Sequence, residues 1–284
     1  MANPEQAKKA EAFLAMHQSG PVVLLPNVWD VASALIVEGA GFPCLATTSA
    51  GVAFAQGFPD GEKISVERMI AAVASIATAV KVPVTADVEA GYGQKPEDAA
   101  RTARLVLEAG AVGMNFEDAT GKVNHPLTDL PLQLERIQAI REVAQEAGIK
   151  FVLNARTDVY LLHLCDPAKR YDMALQRLQE FRDAGADCLF VPGLTDAETI
   201  RRIVADLRYP VNILAGAGSL SVRELADLGV RRISLGSGPM RATLGLLRQL
   251  AQEVRTRGTY SLLNGAPPHA EINKLMTTAV KTGN

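Results

Sequence analysis

Two acidic residues two positions apart, Asp87 and Glu89 in Asp87-Val88-Glu89-Ala90-Gly91-Tyr92-Gly93, have types and spacing that imply chemistry. On an extended strand, side chains two apart share a face, so both carboxylates project the same way. The same parity pairs Asn115 with Glu117 in Asn115-Phe116-Glu117-Asp118, and Asn154 with Arg156 in Asn154-Ala155-Arg156-Thr157-Asp158. Three carboxylates (Asp87, Glu89, Glu117) and one guanidinium enclosed together would repel and take up protons unless a cation joins them. Oxygen donors with no His or Cys pair beside them select Mg²⁺, or Mn²⁺, over zinc. A turn of small residues, Thr47-Thr48-Ser49-Ala50-Gly51, offers backbone amides to a carboxylate. Arg156 has the planar fork to grip the same anion. Asp118 is read as the cap of the following helix. His17, His163 and His269 have no constellation around them and are assigned to the surface.

A cage of this kind needs neighbouring strands that end together. Apolar, β-rich runs occur at 22–28, 44–49, 82–89, 112–117, 150–156, 188–192, 211–215 and 232–236. Helical patterns alternate with them at 30–40, 65–80, 96–109, 131–147, 167–184, 196–207 and 221–228, with an eighth at 239–257. Within 65–80, Val66, Met69, Ile70, Val73, Ile76, Ala77 and Val80 recur at intervals of three and four, which marks one buried helix face. Ser65 and Ser221 stand where N-caps belong. Four helices run into strands through Gly41, Gly110, Gly185 and Gly229, suited to the left-handed residue that ends a helix. Alternating β and α units with apolar strands give a parallel sheet covered by helices. Eight units without a compositional break predict a closed (β/α)8 TIM barrel over residues 1–258. No Gly-x-Gly-x-x-Gly follows the first strand, which counts against a dinucleotide-binding fold. Barrels carry their chemistry at the C-terminal strand ends, where all the residues above fall. Residues 259–284, with Pro267-Pro268 and then a short helix through Met276, form an extra helical tail expected to pack on a partner subunit.

Composition narrows the function classes. With 284 residues, 48% of them hydrophobic, the chain can bury a large core without disulfides. Its formal charge of -2 leaves no basic stripe for nucleic acid or an anionic membrane surface. No run of 18 uncharged apolar residues is long enough to span a bilayer. Cys44, Cys165 and Cys188 have no CxxC spacing, and Cys44 and Cys188 sit in apolar runs, so reduced thiols and a cytoplasmic location are expected.

At its acidic motifs the chain resembles the isocitrate lyase/phosphoenolpyruvate mutase superfamily, from Pro26-Asn27-Val28-Trp29-Asp30 to the eighth helix. The resemblance rests on Asp87-x-Glu89-x-Gly91-Tyr92-Gly93, Glu117-Asp118 and Ala155-Arg156 in this order. It implies that Asp87, Glu89 (where many members have aspartate) and Glu117 surround Mg²⁺, with Asp60 in Gly57-Phe58-Pro59-Asp60 nearby. It also implies that Thr48, Ser49 and Ala50 hold a substrate carboxylate while Arg156 faces substrate oxygens. Asn154 and Asn212 complete the expected substrate-binding set. The family's last helix is exchanged between subunits, so a homo-oligomer, a dimer or tetramer, is implied.

The lyases proper carry a Lys-[Lys/Arg]-Cys-Gly-His-type sequence on the loop after the fourth strand. Here the loop reads Ala119-Thr120-Gly121-Lys122-Val123-Asn124-His125-Pro126-Leu127, short and without cysteine. The chain is most similar to short-loop members that act on 2-oxo acids such as oxaloacetate. The expected activity is Mg²⁺-dependent cleavage of a C–C bond in a small 2-oxo carboxylic acid through an enolate. Arg156, Lys122, Tyr92 and His125 are the catalytic candidates, and Gly121 the hinge of a closing loop. Two alternatives stand beside it: a phosphonopyruvate-type C–P mutase or hydrolase, since Lys122 and Asn124 resemble loop residues of that branch, and a non-catalytic binder of a 2-oxo dicarboxylate.

Overall fold

The computed structural model describes residues 3–282. Its strands are β1 (Val23–Leu25), β2 (Asn27–Val28), β3 (Leu45–Thr47), β4 (Val84–Asp87), β5 (Gly113–Glu117), β6 (Val152–Arg156), β7 (Cys188–Phe190), β8 (Val211–Leu214) and β9 (Arg232–Ser234). They form one parallel sheet in the order β1-β9-β8-β7-β6-β5-β4-β3-β2. Pro26 explains why the run at 22–28 becomes two short strands: it has no N–H to give to a ladder. The piece before it pairs with β9 and the piece after it with β3. The two ends of the sheet are therefore consecutive in sequence, and the sheet closes as the expected (β/α)8 barrel. Asn27 seals the seam: its Oδ1 accepts the Leu235 and Gly236 amides, and its Nδ2 donates to the Thr47 carbonyl, each at 2.8 Å.

The helices are α1 (Pro4–Gln18), α2 (Val31–Gly39), α3 (Ser49–Ala55), α4 (Val66–Ala79), α5 (Pro96–Glu108) and α6 (Leu130–Ala147). After them come α7 (Pro167–Asp183), α8 (Ala197–Leu207), α9 (Val222–Asp227), α10 (Gly238–Arg257) and α11 (His269–Thr282). The four glycines between helix and strand, Gly41, Gly110, Gly185 and Gly229, have φ of 91°, 86°, 109° and 88°, the left-handed region that their positions anticipate. Two helices are not anticipated. The buried side of α1 includes the polar residues Gln6 and His17 beside Ala10 and Phe13, so its apolar stripe is short. In α3 the sequence Ser-Ala-Gly-Val-Ala-Phe-Ala has too little polar contrast to show a helical period.

α1 closes the N-terminal end of the barrel. Gln6 Nε2 donates to the Leu107 and Ala111 carbonyls at 2.8 and 3.0 Å. His17 is a correction to the surface assignment, being only 1% exposed. Its Nδ1 lies 2.8 Å from the Phe13 carbonyl and so carries the proton, which leaves Nε2 to accept from Arg232 Nη1 at 3.4 Å. Arg232, also fully buried, donates to Asn115 Oδ1 at 3.0 Å. Burial, followed by the Arg232 charge, pushes His17 down to about 3.

The two C-terminal helices differ in how they meet the barrel. α11 lies against α2 and α4 of its own chain, with Leu275 and Met276 packed on the cluster around Leu35 and Ile76. α10 buries only Met240 and Glu253, and leaves Leu244, Leu246, Leu247 and Val254 exposed. Among the described residues, no helix is long and apolar enough to cross a membrane. All three cysteines are free thiols; Cys44 and Cys188 are buried and Cys165 is exposed.

The unfolded chain binds the His17 proton near pH 6.5 and the folded chain only near 3. Stability that is complete above about pH 6.5 is therefore lost as pH falls toward 3, by up to about 1.4 kcal/mol per pH unit. His17→Gln keeps a donor for Phe13 and an acceptor for Arg232 while removing this titration. In urea unfolding, the variant should lose about 2 kcal/mol less than the parent between pH 7 and pH 4.5; equal losses would show that His17 is not the group responsible.

Candidate functional site

The C-terminal ends of β3, β4, β5 and β6 surround a cavity of about 270 Å³. Ser49, Asp60, Glu62, Glu89, Glu117, Arg156, Asp158 and Leu161 are among its lining residues. Asp87, the last residue of β4, is held from the side of β3: the Ser49 amide and hydroxyl both donate to Oδ2, at 3.0 and 2.8 Å. Its own amide donates to Thr47 Oγ1 at 2.8 Å. Glu89 follows with a φ of 53°, and its Oε2 accepts the Glu62 amide at 2.7 Å. Asp87 Oδ1 and Glu89 Oε1 are buried without any hydrogen-bond partner. Burial, then the charges of Asp60 and Asp87, push Glu89 up to about 8. Asp60 is also raised, by desolvation and by Asp87.

Glu117 ends β5 and meets Arg156, which ends β6, with Oε2 2.7 Å from Nη1. Burial raises Glu117 well above the usual carboxylate range, against the pull of Arg156. Arg156 Nε and Nη2 also donate to Asp158 Oδ1 and Oδ2, at 2.5 and 2.8 Å. The guanidinium is thus fixed as a fork between two carboxylates above the Phe190 ring.

This donor set fits a hard divalent cation. Two buried carboxylate oxygens face no donor, a costly state that a cation relieves and a neutral apolar neighbour does not. Among the described residues no three His, Cys, Asp or Glu side chains converge closely enough to hold a metal as they stand, and Glu117 is paired with Arg156. Glu89, Asp60 and Glu117 line one cavity, and Asp87 is bonded to Ser49 in its wall.

Other expected site residues lie elsewhere. Thr48 caps α3, its Oγ1 accepting the Gly51 amide at 3.3 Å, and Ala50 is buried in the first turn of that helix. The turn expected to offer amides to a substrate is thus a helix start whose Ser49 amide already serves Asp87. Asn154 and Asn212 are buried in the barrel interior, where Asn154 Nδ2 donates to Asn115 Oδ1 at 2.8 Å and Asn212 Oδ1 accepts from Ser234 Oγ at 3.3 Å. Tyr92, Lys122 and His125 line an adjoining cleft of about 530 Å³ together with Arg136 and Asp129. Glu62, Ala90, Ala119 and Thr120 form walls of both spaces. Gly91, with a φ of 87°, shapes the turn between them, and a Cβ there would lie 2.8 Å from the Phe116 ring.

The loop after β5 is a small flap. Ala119 and Leu127 form an antiparallel bridge, the Thr120 amide donates to the Pro126 carbonyl at 3.0 Å, and Val123 at the tip is 94% exposed. Asp118 does not cap the following helix. It is fully buried, where Oδ1 accepts the Asp158 amide at 3.0 Å and Oδ2 meets Arg177 Nε at 2.7 Å. Arg177 Nη2 donates to the Thr128 carbonyl at 2.7 Å, and the Thr128 amide to the Asp118 carbonyl at 2.8 Å, so both feet of the flap are tied at one point. Sequence reasoning gave no role to Glu62, Asp158 or Arg177. Asp158 carried a usable signal, because it stands two residues after Arg156; Glu62 and Arg177 carried none.

Comparison with known proteins agrees with this geometry. Residues 13–255 match the family described as phosphoenolpyruvate phosphomutase. An uncharacterised protein of Mycobacterium tuberculosis is 34% identical over 243 residues, covering 86% of this chain and 88% of the relative. A crystal structure from Burkholderia cenocepacia, provisionally classed as a lyase/mutase, superposes with a TM-score of 0.91 at 41% identity, over 96% of this chain and 97% of that one. A 2,3-dimethylmalate lyase of the PEP mutase/isocitrate lyase superfamily superposes with a TM-score of 0.83 at 26% identity, over 95% and 94% of the two chains.

Arg177→Met strands the buried Asp118 charge and should destabilise the protein by about 3 kcal/mol or more at pH 7. Adding Asp118→Asn should recover part of that loss in urea unfolding. If the two changes simply add, Arg177 does not act through Asp118.

Proposed function

Since the chain belongs to the phosphoenolpyruvate phosphomutase family, we propose that it is a divalent-metal-dependent lyase or hydrolase that cleaves a C–C bond in a small 2-oxo carboxylic acid through an enolate. The observation that carries this reading is the pair of buried, partnerless oxygens, Asp87 Oδ1 and Glu89 Oε1, the second on a residue that shares a cavity of about 270 Å³ with the fixed guanidinium of Arg156. Asp87 and Glu89 would hold Mg²⁺ or Mn²⁺, with Asp60 and Glu117 completing its oxygen surroundings. When bound, such an ion polarises a keto oxygen and offsets the negative charge that builds there as the neighbouring bond breaks.

The chain's own residues do the positioning. Arg156 commits three of its five N–H groups to Glu117 and Asp158 and keeps two for substrate oxygens. Asp158 holds that fork in plane, so little reorganisation accompanies binding. Thr120 and Leu161 at the rim limit the entry of water. Arg156 is the one cationic side chain among the described lining residues. A phosphonate or phosphate would bring more negative charge into a cavity lined by five acidic side chains (Asp60, Glu62, Glu89, Glu117 and Asp158), which favours C–C over C–P chemistry. A silent binder of a 2-oxo dicarboxylate would use the same cage and differs only in lacking turnover.

We also propose that the protein works as a homo-oligomer in which α10 meets a second copy of the chain. The apolar side chains of α10 lie uncovered along a 20-residue helix that its own barrel barely touches.

Purified protein with Mg²⁺ and a panel of 2-oxo acids, phosphonopyruvate and 2-methylisocitrate, followed by NMR, should yield C–C cleavage products that vanish with EDTA. Asp87→Ala should lower that turnover by at least ~100-fold. Phosphate release, binding without turnover, or near-normal activity in the variant would each contradict the reading. In sedimentation velocity, Leu244→Glu combined with Leu247→Glu should convert oligomer to monomer; a monomeric parent protein would remove the role given to α10.

A further inference from the structure

Glu62 is half-buried where the two cavities meet, and its contacts converge on the end of β4. We propose that Glu62 is a positioning residue, a latch that fixes the turn after β4 so that Glu89 keeps Oε1 turned inward for a divalent cation. The inference rests on the metal-binding reading of Asp87 and Glu89.

The latch is reciprocal. The Glu62 amide donates to Glu89 Oε2 at 2.7 Å, while Glu62 Oε1 accepts the Tyr92 amide at 2.7 Å. One residue thus holds the Glu89 side chain with its backbone and the backbone beyond Glu89 with its side chain. Arg136 on α6 grips the same turn through its carbonyls, with Nη2 donating to Ala90 and Gly93 and the guanidinium over the Phe116 ring. The turn's Tyr92 amide meets a carboxylate and its carbonyls a guanidinium, which sets its orientation between opposite charges.

Backbone conformation supports the same assignment. Glu62, Glu89 and Tyr92 have φ of 57°, 53° and 57°, three of the six non-glycine residues in the left-handed region among those described. Side chains with a Cβ disfavour this region and persist there only where surrounding bonds impose it. These three impose it on one another. The latch also answers a chemical need. Glu89 has one more rotatable bond than the neighbouring Asp87, and the two Ser49 hydrogen bonds that fix Asp87 have their counterpart for Glu89 in the Glu62 amide.

The test uses the full chain, with Mn²⁺ as the probe and free Mn²⁺ read by EPR. Glu62→Gly relaxes the left-handed backbone but removes the carboxylate, and should weaken Mn²⁺ affinity about 10-fold or more while unfolding stays cooperative. Glu62→Gln keeps the acceptor for the Tyr92 amide and should stay within about 3-fold of the parent. Glu62→Asn tolerates the left-handed region but is too short to reach the Tyr92 amide; it serves in place of the glycine variant should that variant not fold. Parent-like affinity in the shortened variants, or an equal loss in Glu62→Gln, overturns the latch while leaving the metal site standing. Absence of Mn²⁺ binding by the parent protein overturns the metal reading and the latch with it.

Discussion

Carboxylate oxygens removed from water without a donor are among the least favourable arrangements a folded chain can carry, and this barrel places two of them side by side. Asp87 Oδ1 and Glu89 Oε1 are buried and unpaired, while the other oxygen of each carboxylate is tightly held by a neighbouring element. A fold tolerates such groups when something outside the chain completes them. The rest of the upper barrel can be understood from that constraint. Ser49 at the start of α3 and Glu62 on the loop beyond it each hold one carboxylate in place. Arg156 supplies the one cationic side chain among the described residues lining the cavity, and Asp158 holds it through two hydrogen bonds.

The strand ends act together because the sheet has no free edge. Pro26 breaks the first strand, and Asn27 repairs the break by bonding to both sides of it. Below the site, Arg232, His17, Asn115 and Asn154 fill the barrel interior with a hydrogen-bonded polar column rather than an apolar plug. Above it, Asp118 and Arg177 fasten both feet of the flap while its tip remains in solvent. Rigid feet with a free tip suit a segment that covers a small cavity without a large hinge movement.

The fold was legible in the sequence because its signals are local and repeated. Strand and helix periods recur eight times around the barrel, and Gly41, Gly110, Gly185 and Gly229 mark four of the helix-to-strand joints. The acidic motif at Asp87 and Glu89, and Arg156 at its strand end, pointed to the site, whereas Asn154, which shares a strand face with Arg156, belongs to the polar interior of the barrel. What stayed hidden depends on contacts across long stretches of chain. Glu62 joins the cavity through backbone conformation that no residue type announces. Arg177 reaches Asp118 across 59 positions. His17 looked like a surface residue because Arg232, the partner that makes its burial tolerable, lies 215 positions away. The small residues at 47–51 look like an open turn and form a helix start, since Thr48 supplies the cap. Lys122 and His125 have suitable chemistry but face the neighbouring cleft, because the 119–127 bridge fixes which way the flap points.

Family membership and barrel architecture locate this chain in a superfamily of lyases and mutases, and the two unpaired oxygens are where the proposed metal is tested. The most direct measurement is anomalous scattering from crystals soaked with Mn²⁺ and oxalate, a non-cleavable analogue of a 2-oxo acid. A single Mn²⁺ peak at about 2.1 Å from Asp87 Oδ1 and Glu89 Oε1, with oxalate between it and Arg156, is the expected result. A peak elsewhere, or none at saturating Mn²⁺, would contradict the account.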